Sequence, residues 1–283
     1  MIDNSIVAGI VTYNPVEERL LNNIQAVISQ VKKIIIVDNF SDKRIDLEIK
    51  IKLLYGDKII WIQNDENYGI AQALNSIFNK ANMLGSEWVL TLDQDTIVPN
   101  HLVETYLKAA SDFAVAQIAC NIYEENTNKF LYSKKETYSQ ISRCITSGTM
   151  TKVSAWEHVG GYDDYLFIDY VDYDFSLKLY NEGYKIIRCN EIYIRHELGN
   201  SMIRKFLFIP VRVANYSTKR KYYIARNIVI YVKRYCGLAT GCMEMLRLFR
   251  IMCFTVLYEK AKCEKLKAIA VGIKDGITSN ENT

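Results

Sequence analysis

Ser5-Ile6-Val7-Ala8-Gly9-Ile10-Val11-Thr12, running on into Tyr13-Asn14-Pro15-Val16-Glu17, is the stretch whose reading decides the fold. Its first eight residues are apolar and rich in β-branched side chains, as in a strand covered on both faces within a parallel sheet. The period then changes. Asn14 reads as a helix N-cap, Pro15 as the first helical residue and Glu17 as the closing member of a capping box. Val16, Leu20, Ile24, Val27 and Val31 follow at helical spacing. Ile34-Ile35-Ile36-Val37 is then a second unbroken β-branched run, completing a strand–helix–strand unit.

The rhythm continues outward. Lys58–Gln63 reads as a third strand, and Ile70, Leu74, Ile77, Phe78 and Ala81 mark a helix stopped near Gly85. Glu87–Leu92 is a fourth strand and Phe113–Tyr123 a fifth. Such alternation predicts an α/β fold with a doubly wound, mostly parallel sheet. Ligands of these sheets bind beyond the carboxyl ends of the strands. Polar groups stand there: Thr12-Tyr13-Asn14, Asp38-Asn39, Asn64-Asp65 and Asp93-Gln94-Asp95.

After about residue 124 the pattern is irregular. Ser154 and Glu157 form a second capping box before a short helix ended by Gly160-Gly161, and Val171, Phe175 and Leu179 mark a helix ended by Gly183. Tyr184–Arg188 and Glu191–Arg195 are strand-like, and from about residue 217 the chain reads as helices with basic faces. With no internal repeat or Pro/Ser-rich linker, the expected organisation is an α/β domain over 1–215 and a basic helical C-terminal extension over 216–283.

Composition sharpens the division. The 283 residues are 49% hydrophobic with a net charge of only +3, which excludes disordered and collagen-like classes. That charge is a cancellation: residues 1–200 hold 19 Lys+Arg against 27 Asp+Glu, and residues 201–283 hold 16 against 5. An acidic body with a basic tail points to an anionic partner met late in the chain. No stretch reaches the roughly 18 apolar residues of a membrane span. The N-terminus lacks a secretory signature, and the seven cysteines are dispersed without a CxxC pair, so a cytoplasmic protein with reduced thiols is expected.

The chain lacks GxGxxG, GxxxxGK[ST] and GxSxG, which excludes the usual dinucleotide-binding, P-loop and serine-hydrolase readings. Asp93-Gln94-Asp95 can hold a hard divalent cation against a diphosphate, or can simply cap a strand-terminal turn. Asp169-Tyr170-Val171-Asp172-Tyr173-Asp174 sets three carboxylates among aromatic rings. That suits general-base work, or an acidic first turn stabilising a helix N-terminus.

Taken together, these residues carry a resemblance. Thr12-Tyr13-Asn14-Pro15, Val37-Asp38-Asn39-x-Ser41, Asn67-x-Gly69-Ile70-Ala71-x-Ala73-Leu74-Asn75, Asp93-Gln94-Asp95, Ser147-Gly148-Thr149, Gly160-Gly161-Tyr162-Asp163 and Phe167-Ile168-Asp169-Tyr170-Val171-Asp172 resemble family 2 glycosyltransferases in order and spacing. Within it, Asp93-Gln94-Asp95, Phe167-Ile168-Asp169-x-Val171-Asp172, Arg195-His196-x-x-Gly199 and Tyr222-Tyr223-x-x-Arg226-Asn227 look most like rhamnosyltransferases. The resemblance implies a GT-A fold in which Thr12, Tyr13, Asn14 and Asp38 bind the nucleotide, with Asn67 and Gly69 beside it. It places Asp93 near the ribose, Asp95 on Mg²⁺ or Mn²⁺, and Asp172 as the base of an inverting displacement. His196 is implied near the metal, and a solvated turn is its alternative. Val171 stands where many relatives have Glu, and Leu74 where many have Arg; the QxxRW motif of processive synthases is absent.

The implied activity is transfer of L-rhamnose from dTDP-L-rhamnose to a glycan or lipid-linked acceptor of the bacterial surface. A UDP-hexose or UDP-N-acetylhexosamine donor, and a non-catalytic nucleotide-sugar-binding scaffold, are the alternatives. Ser147, Gly148, Trp156, Tyr222 and Arg226 are candidates for acceptor or phosphate contact, Trp156 and Tyr162 reading equally as core aromatics. Tyr222, Arg226 and Lys233 share a helix face that either meets an anion or is merely solvated. The tail from Arg247 to Lys267 reads as a basic amphipathic helix on an anionic membrane, or as one packed on the domain or on a second subunit of a homodimer. No nucleic-acid motif accompanies its charge.

Overall fold

Strand β1 (Ile6–Thr12) is buried along almost its whole length, as its unbroken apolar run requires, and it pairs in parallel with β2 (Lys33–Asp38) on one side and β4 (Trp88–Asp93) on the other. The structure is a computed structural model that describes residues 5–111, 114–124, 128–132, 136–196, 201–206 and 209–279. The chain divides into two compact units, residues 1–165 with 171–197, and residues 166–170 with 198–283.

In the first unit the chain runs β1, α1 (Glu17–Val27), β2, α2 (Arg44–Tyr55), β3 (Ile59–Gln63), α3 (Ile70–Met83), β4, α4 (Leu102–Ala109), β5 (Val115–Glu124), β6 (Lys129–Phe130), β7 (Tyr138–Ile141), β8 (Thr149–Lys152), α5 (Val153–His158), α6 (Val171–Asn181) and β9 (Lys185–His196). Among the described residues nine strands form one sheet in the order β3-β2-β1-β4-β8-β5-β9-β7, with β6 on β5. Strands β3, β2, β1, β4, β5 and β9 point the same way; β6, β7 and β8 run against them. The mostly parallel sheet expected from the alternation is therefore present. Two expected segments, Tyr184–Arg188 and Glu191–Arg195, are one long strand, β9, whose register against β5 shifts at Cys120/Asn121.

The core is built from Ile6 and Ile10 of β1, Ile34 and Ile36 of β2 and Trp88, Leu90 and Leu92 of β4 against Leu20, Ile24 and Val27 of α1 and Leu102 and Tyr106 of α4. On the other face α3 presses against β1 so closely that a Cβ at Gly9 would stand 2.4 Å from Ile77 Cγ2. Only glycine permits that approach. Trp156 and Tyr162 belong to this interior: the Trp156 ring stacks on Phe78 at 5.3 Å, and Tyr162 on Phe175 at 4.1 Å. Both are nearly inaccessible to solvent, so of their two readings the structure selects core packing.

Neither capping box forms. Asn14 adopts a left-handed conformation (φ 46°), and its Oδ1 accepts the Asp42 N–H, tying two strand ends together. Helix α1 starts only at Glu17, and α5 at Val153, without side-chain caps. The glycine stops do occur, Gly85, Gly160 and Gly183 each adopting positive φ.

The second unit holds the hairpin β10 (Ser201–Phe206) and β11 (Ile209–Ala214), then α7 (Thr218–Tyr235), α8 (Leu238–Tyr258) and α9 (Lys262–Thr278). Helices α7 and α9 touch backbone to backbone: a Cβ at Gly272 would lie 2.4 Å from Tyr222 O, and one at Gly276 2.7 Å from Arg226 O. The basic faces expected here are partly interior. Lys221 Nζ donates to Glu259 Oε1 at 2.6 Å, and Lys265 Nζ to Glu259 Oε2 at 2.9 Å, with all three residues buried. Among the described residues no helix is long and apolar enough to cross a membrane.

Candidate functional site

The carboxyl ends of β1, β2, β3 and β4 converge through side chains that bridge neighbouring strands. Thr12 Oγ1 donates to Asp38 Oδ2 at 2.9 Å, and the Ser41 N–H donates to Asp38 Oδ1 at 2.8 Å. Both Thr12 and Asp38 are fully buried. A buried carboxylate is tolerated because each oxygen receives a donor. Asn39 organises the next strand end. Its Oδ1 accepts from Asn64 Nδ2 and the Tyr68 N–H, both at 3.0 Å; its Nδ2 donates to Asn67 Oδ1 at 3.0 Å and Gly69 O at 3.1 Å. Asn67 Oδ1 also accepts the Gly69 N–H, so Asn67 and Gly69 form the turn that starts α3.

Tyr13 projects from the end of β1 with half its surface exposed, and its N–H donates to Gln94 Oε1 at 2.9 Å. Asn14 lies beside it, its N–H donating to Ser41 Oγ at 2.8 Å. These contacts bring Thr12, Tyr13, Asn14, Asp38, Asn67, Gly69 and the Asp93–Asp95 turn to one edge of the sheet.

The Asp93 backbone is held from both sides. Its N–H donates to Ser147 Oγ at 2.9 Å, and its carbonyl accepts from Asn23 Nδ2 at 2.5 Å and from the Thr96 N–H at 3.2 Å. Ser147 Oγ also lies 2.6 Å from Thr96 Oγ1. Gly148 is interior, its N–H donating to Thr91 O at 2.8 Å and its carbonyl accepting from Tyr106 OH at 2.5 Å. Ser147 and Gly148 thus brace the turn from within. The Asp95 side chain is 40% exposed and stands 3.9 Å from Arg19 Nη1, a separation and exposure at which an ion pair contributes little. Among the described residues no group of three or more His, Cys, Asp or Glu side chains converges.

Asp172 is the second residue of α6, half-buried, with Oδ1 accepting the Tyr173 N–H at 3.0 Å. Its charge contributes to raising the Cys144 thiol, which is pushed up to about 11 mainly by burial. Asp174 is buried and stands 3.5 Å from Lys178 Nζ. Beside this helix Asn75 joins α3 to the segment before it: Oδ1 accepts from Trp156 Nε1 at 3.0 Å and the Tyr162 N–H at 2.9 Å, and Nδ2 donates to Tyr162 O and Asp164 Oδ1. The His196 backbone ends β9 opposite Glu124, and its side chain lies outside the described residues, as does Gly199.

Tyr222 and Arg226 lie in the second unit. Arg226 is buried, its guanidinium carbon 5.6 Å from the Tyr222 ring centre and 4.8 Å from that of Tyr223, with Nε donating to Asn227 Oδ1 at 3.0 Å. Lys233 donates to Ile277 O and Ser279 O at the end of α9. The solvated reading of this face is therefore corrected at Arg226 alone: Lys233 remains exposed, and part-buried Tyr222 donates its OH to Asp275 Oδ2 at 2.8 Å.

Sequence reasoning missed Asn23, Gln94 and Thr96. Asn23 carried a signal, being the polar residue on the buried stripe Leu20, Asn23, Ile24 and Val27 of α1. Thr96 carried none, and Gln94 stood only as the middle of Asp93-Gln94-Asp95 with no role of its own, because their partners are distant in the chain.

Residues 7–171 match the family model described as Glycosyl transferase family 2. The chain is 28% identical over 297 residues to dTDP-rhamnosyl transferase RfbF of Shigella flexneri, covering 98% of this chain and 96% of that one. It is 24% identical over 241 residues to the uncharacterized glycosyltransferase MJ1057 of Methanocaldococcus jannaschii, covering 78% and 81%. Among solved structures it resembles S. aureus TarS 1–349 in complex with UDP-GlcNAc (TM-score 0.64, 15% identity, 96% of this chain and 80% of that one). A similar likeness holds to GalNAc-T7 with UDP, GalNAc and Mn²⁺ (TM-score 0.64, 15% identity, 97% of this chain), where the chain spans only 56% of the matched protein. The mannosyltransferase PcManGT from Pyrobaculum calidifontis with GDP-Man and Mn²⁺ gives TM-score 0.60 at 14% identity, over 98% of this chain and 76% of that one. At these identities the structural likeness shows the fold, an α/β sheet of the GT-A kind.

Proposed function

The chain belongs to glycosyl transferase family 2, and from that premise we propose that it transfers L-rhamnose from dTDP-L-rhamnose to a glycan acceptor, with inversion at the anomeric carbon. The observation that carries the donor is the near full-length similarity to the Shigella dTDP-rhamnosyl transferase. In this reading Tyr13 and Asn14 frame the thymine with the buried Thr12–Asp38 pair beneath, while Asn67 and Gly69 close the other side. Asp93 lies toward the ribose.

The donor set fits a divalent cation. Asp93 and Asp95 offer hard carboxylate oxygens one residue apart at a strand end, Asp95 open to solvent. Mg²⁺ and Mn²⁺ are commonly held by one or two carboxylates and completed by substrate phosphates. When bound there, such a cation would offset the charge that develops on the departing diphosphate. Asn23 and Ser147 hold the Asp93 backbone, and with it the turn that carries both carboxylates.

Asp172 is assigned as the base. It takes the proton of an acceptor hydroxyl as that oxygen bonds to the anomeric carbon and the carbon–oxygen bond to the nucleotide diphosphate breaks. One displacement then inverts the centre without a covalent enzyme intermediate. The acceptor is proposed to be a lipid-linked saccharide reached from the inner face of a membrane. Helix α8 supports this: Leu238, Met243, Leu246, Phe249 and Leu257 are largely exposed on it, with Arg247 and Arg250 among them.

A donor panel tests the proposal. Nucleotide diphosphate release is measured with dTDP-L-rhamnose, UDP-glucose, UDP-galactose and UDP-GlcNAc. Release confined to dTDP-L-rhamnose is expected; faster turnover of a UDP-sugar overturns the donor assignment.

A further inference from the structure

Residues 166–170 lie between two stretches of the first unit in sequence, yet they cluster with the C-terminal helices. Three of these five residues have left-handed backbones although none is glycine: Phe167 (φ 61°), Asp169 (φ 64°) and Tyr170 (φ 67°). An L side chain crowds the neighbouring carbonyl in that region, so such a segment persists only where surrounding groups over-determine it.

The surrounding groups are on α7 and α8. Asn227 is fully buried, and its Nδ2 lies 2.7 Å from Leu166 O and 2.9 Å from both Ile168 O and Asp169 O. Arg226 Nε, donating to Asn227 Oδ1, fixes which way that amide faces. Arg220 grips the Asp169 carboxylate with two parallel bonds, Nε and Nη2 each at 2.9 Å. The Phe167 ring stacks on Tyr223 at 4.5 Å and 8°. Tyr170 OH donates to Glu244 Oε2 at 2.6 Å and accepts from Arg247 Nη1 at 2.9 Å. Each partner but those of Tyr170 comes from one short span of α7, and Tyr223, Arg226 and Asn227 belong to the motif Tyr222-Tyr223-x-x-Arg226-Asn227.

Helix α6 begins at Val171, the residue after this clamped segment, and Asp172 is its second residue. We propose that Asn227 and Arg220 are positioning residues for Asp172: by holding residues 166–170 in their strained conformation they fix where α6 starts and hence where its carboxylate sits. The proposal rests on the reading of Asp172 as the base. A loop free to relax to right-handed backbone would redirect the first turn of α6, while the donor-binding strand ends, built from other elements, would be unchanged.

Arg220→Ala is the primary variant, because the Arg220 side chain is 38% exposed and its loss leaves no buried cavity. Asn227→Ala is the second. Both are made in the full chain and compared with Asp172→Asn. Turnover, donor KM and melting temperature are measured, together with calorimetric binding of dTDP. Arg220→Ala is expected to lower kcat by about 10- to 100-fold, the scale of an ångström-level misplacement, with donor KM and dTDP affinity within about twofold. Arg220→Lys, which keeps the charge but not the paired bonds, should recover part of the loss. In an Asp172→Asn background Arg220→Ala should cost nothing further, since no base remains to be positioned.

A multiplicative loss in that double variant, or a rise in donor KM that accounts for the whole effect, overturns the positioning role. Unchanged kcat in Arg220→Ala and Asn227→Ala does so too. Full turnover in Asp172→Asn alone refutes the base assignment, and the positioning role with it. A dead Asp172→Asn beside an unaffected Arg220→Ala refutes only the positioning role.

Discussion

Replacing Thr12 by valine isolates the buried polar pair beneath the proposed nucleotide site. Valine keeps the branched shape and removes only the hydroxyl that donates to Asp38 Oδ2 at 2.9 Å. Asp38 then retains the Ser41 N–H on Oδ1 but has lost the donor to Oδ2, in a place with no solvent access. A hydrogen bond to a charged group contributes about 1.5–3 kcal/mol, and an unsatisfied buried acceptor costs a similar amount, so a loss of about 2 kcal/mol is expected. For a unit of this size that is a fall in melting temperature of about 4–8 °C. Thr12→Ser is the control: it keeps the hydroxyl and gives up one buried methyl, about 1 kcal/mol. Calorimetric or spectroscopic melts at pH 7 read the difference, and titration with dTDP reads the site, where the valine variant should bind more weakly. If Thr12→Val melts with Thr12→Ser or above it, the Thr12–Asp38 bond is not what makes the buried carboxylate tolerable.

Asp95→Ala should lower the affinity for dTDP measured with Mg²⁺ or Mn²⁺ by about tenfold or more, while metal-free affinity stays unchanged; if the unaltered enzyme binds dTDP equally with and without the ion, the metal site is wrong. Burial pushes the Cys120 and Cys144 thiols up to about 11 and Cys189 to about 12, from an ordinary 9.0. The folded chain then keeps protons that the unfolded chain releases, so stability is complete below pH 9 and falls as pH rises toward 11–12. Chemical denaturation at pH 8, 9 and 10 should show that decline, and at pH 8 a thiol reagent should label exposed Cys242 and Cys263 ahead of those three; early labelling of Cys120 or Cys144 contradicts their burial. Replacing Leu246 and Phe249 by glutamate should abolish co-sedimentation with phosphatidylglycerol vesicles, each apolar side chain contributing about 1.5–3 kcal/mol on insertion; undiminished binding removes α8 as the contact.

The sheet was legible where the code is local. Ile6–Thr12, Ile34–Val37 and Trp88–Leu92 are strands because short runs of apolar, often β-branched residues covered on both faces admit no polar side chain larger than threonine, and that pattern is visible in one dimension. The placement of Asp38 and Asp93 at strand ends followed from the same runs. Helix α2 escaped notice because its apolar residues do not form one stripe: Ile45, Ile49, Leu53 and Leu54 are exposed beside buried Leu47 and Ile51. The capping boxes failed for a related reason. Asn14 has the right side chain for a cap, but a partner 28 residues away, the Asp42 N–H, takes it instead. In sequence Trp156 could equally face a ligand or the interior, and Arg226 an anion or solvent; contacts with Phe78 and with Tyr222 and Tyr223 made both interior.

What the sequence determined by itself is the alternating α/β order, the strand-end carboxylates and the contrast between an acidic body and a basic tail. Each depends on residue type and near-neighbour spacing alone. What only the tertiary structure decided is which polar groups hold one another. Asn23 and Ser147 reach the Asp93 backbone across 70 and 54 residues, and Asn227 reaches the Asp169 carbonyl across 58. It also turned part of the basic tail inward, with Lys221 and Lys265 closing on Glu259. A charge count cannot register that, because a buried cation is stable only beside a counter-charge that the fold, and not the local sequence, delivers.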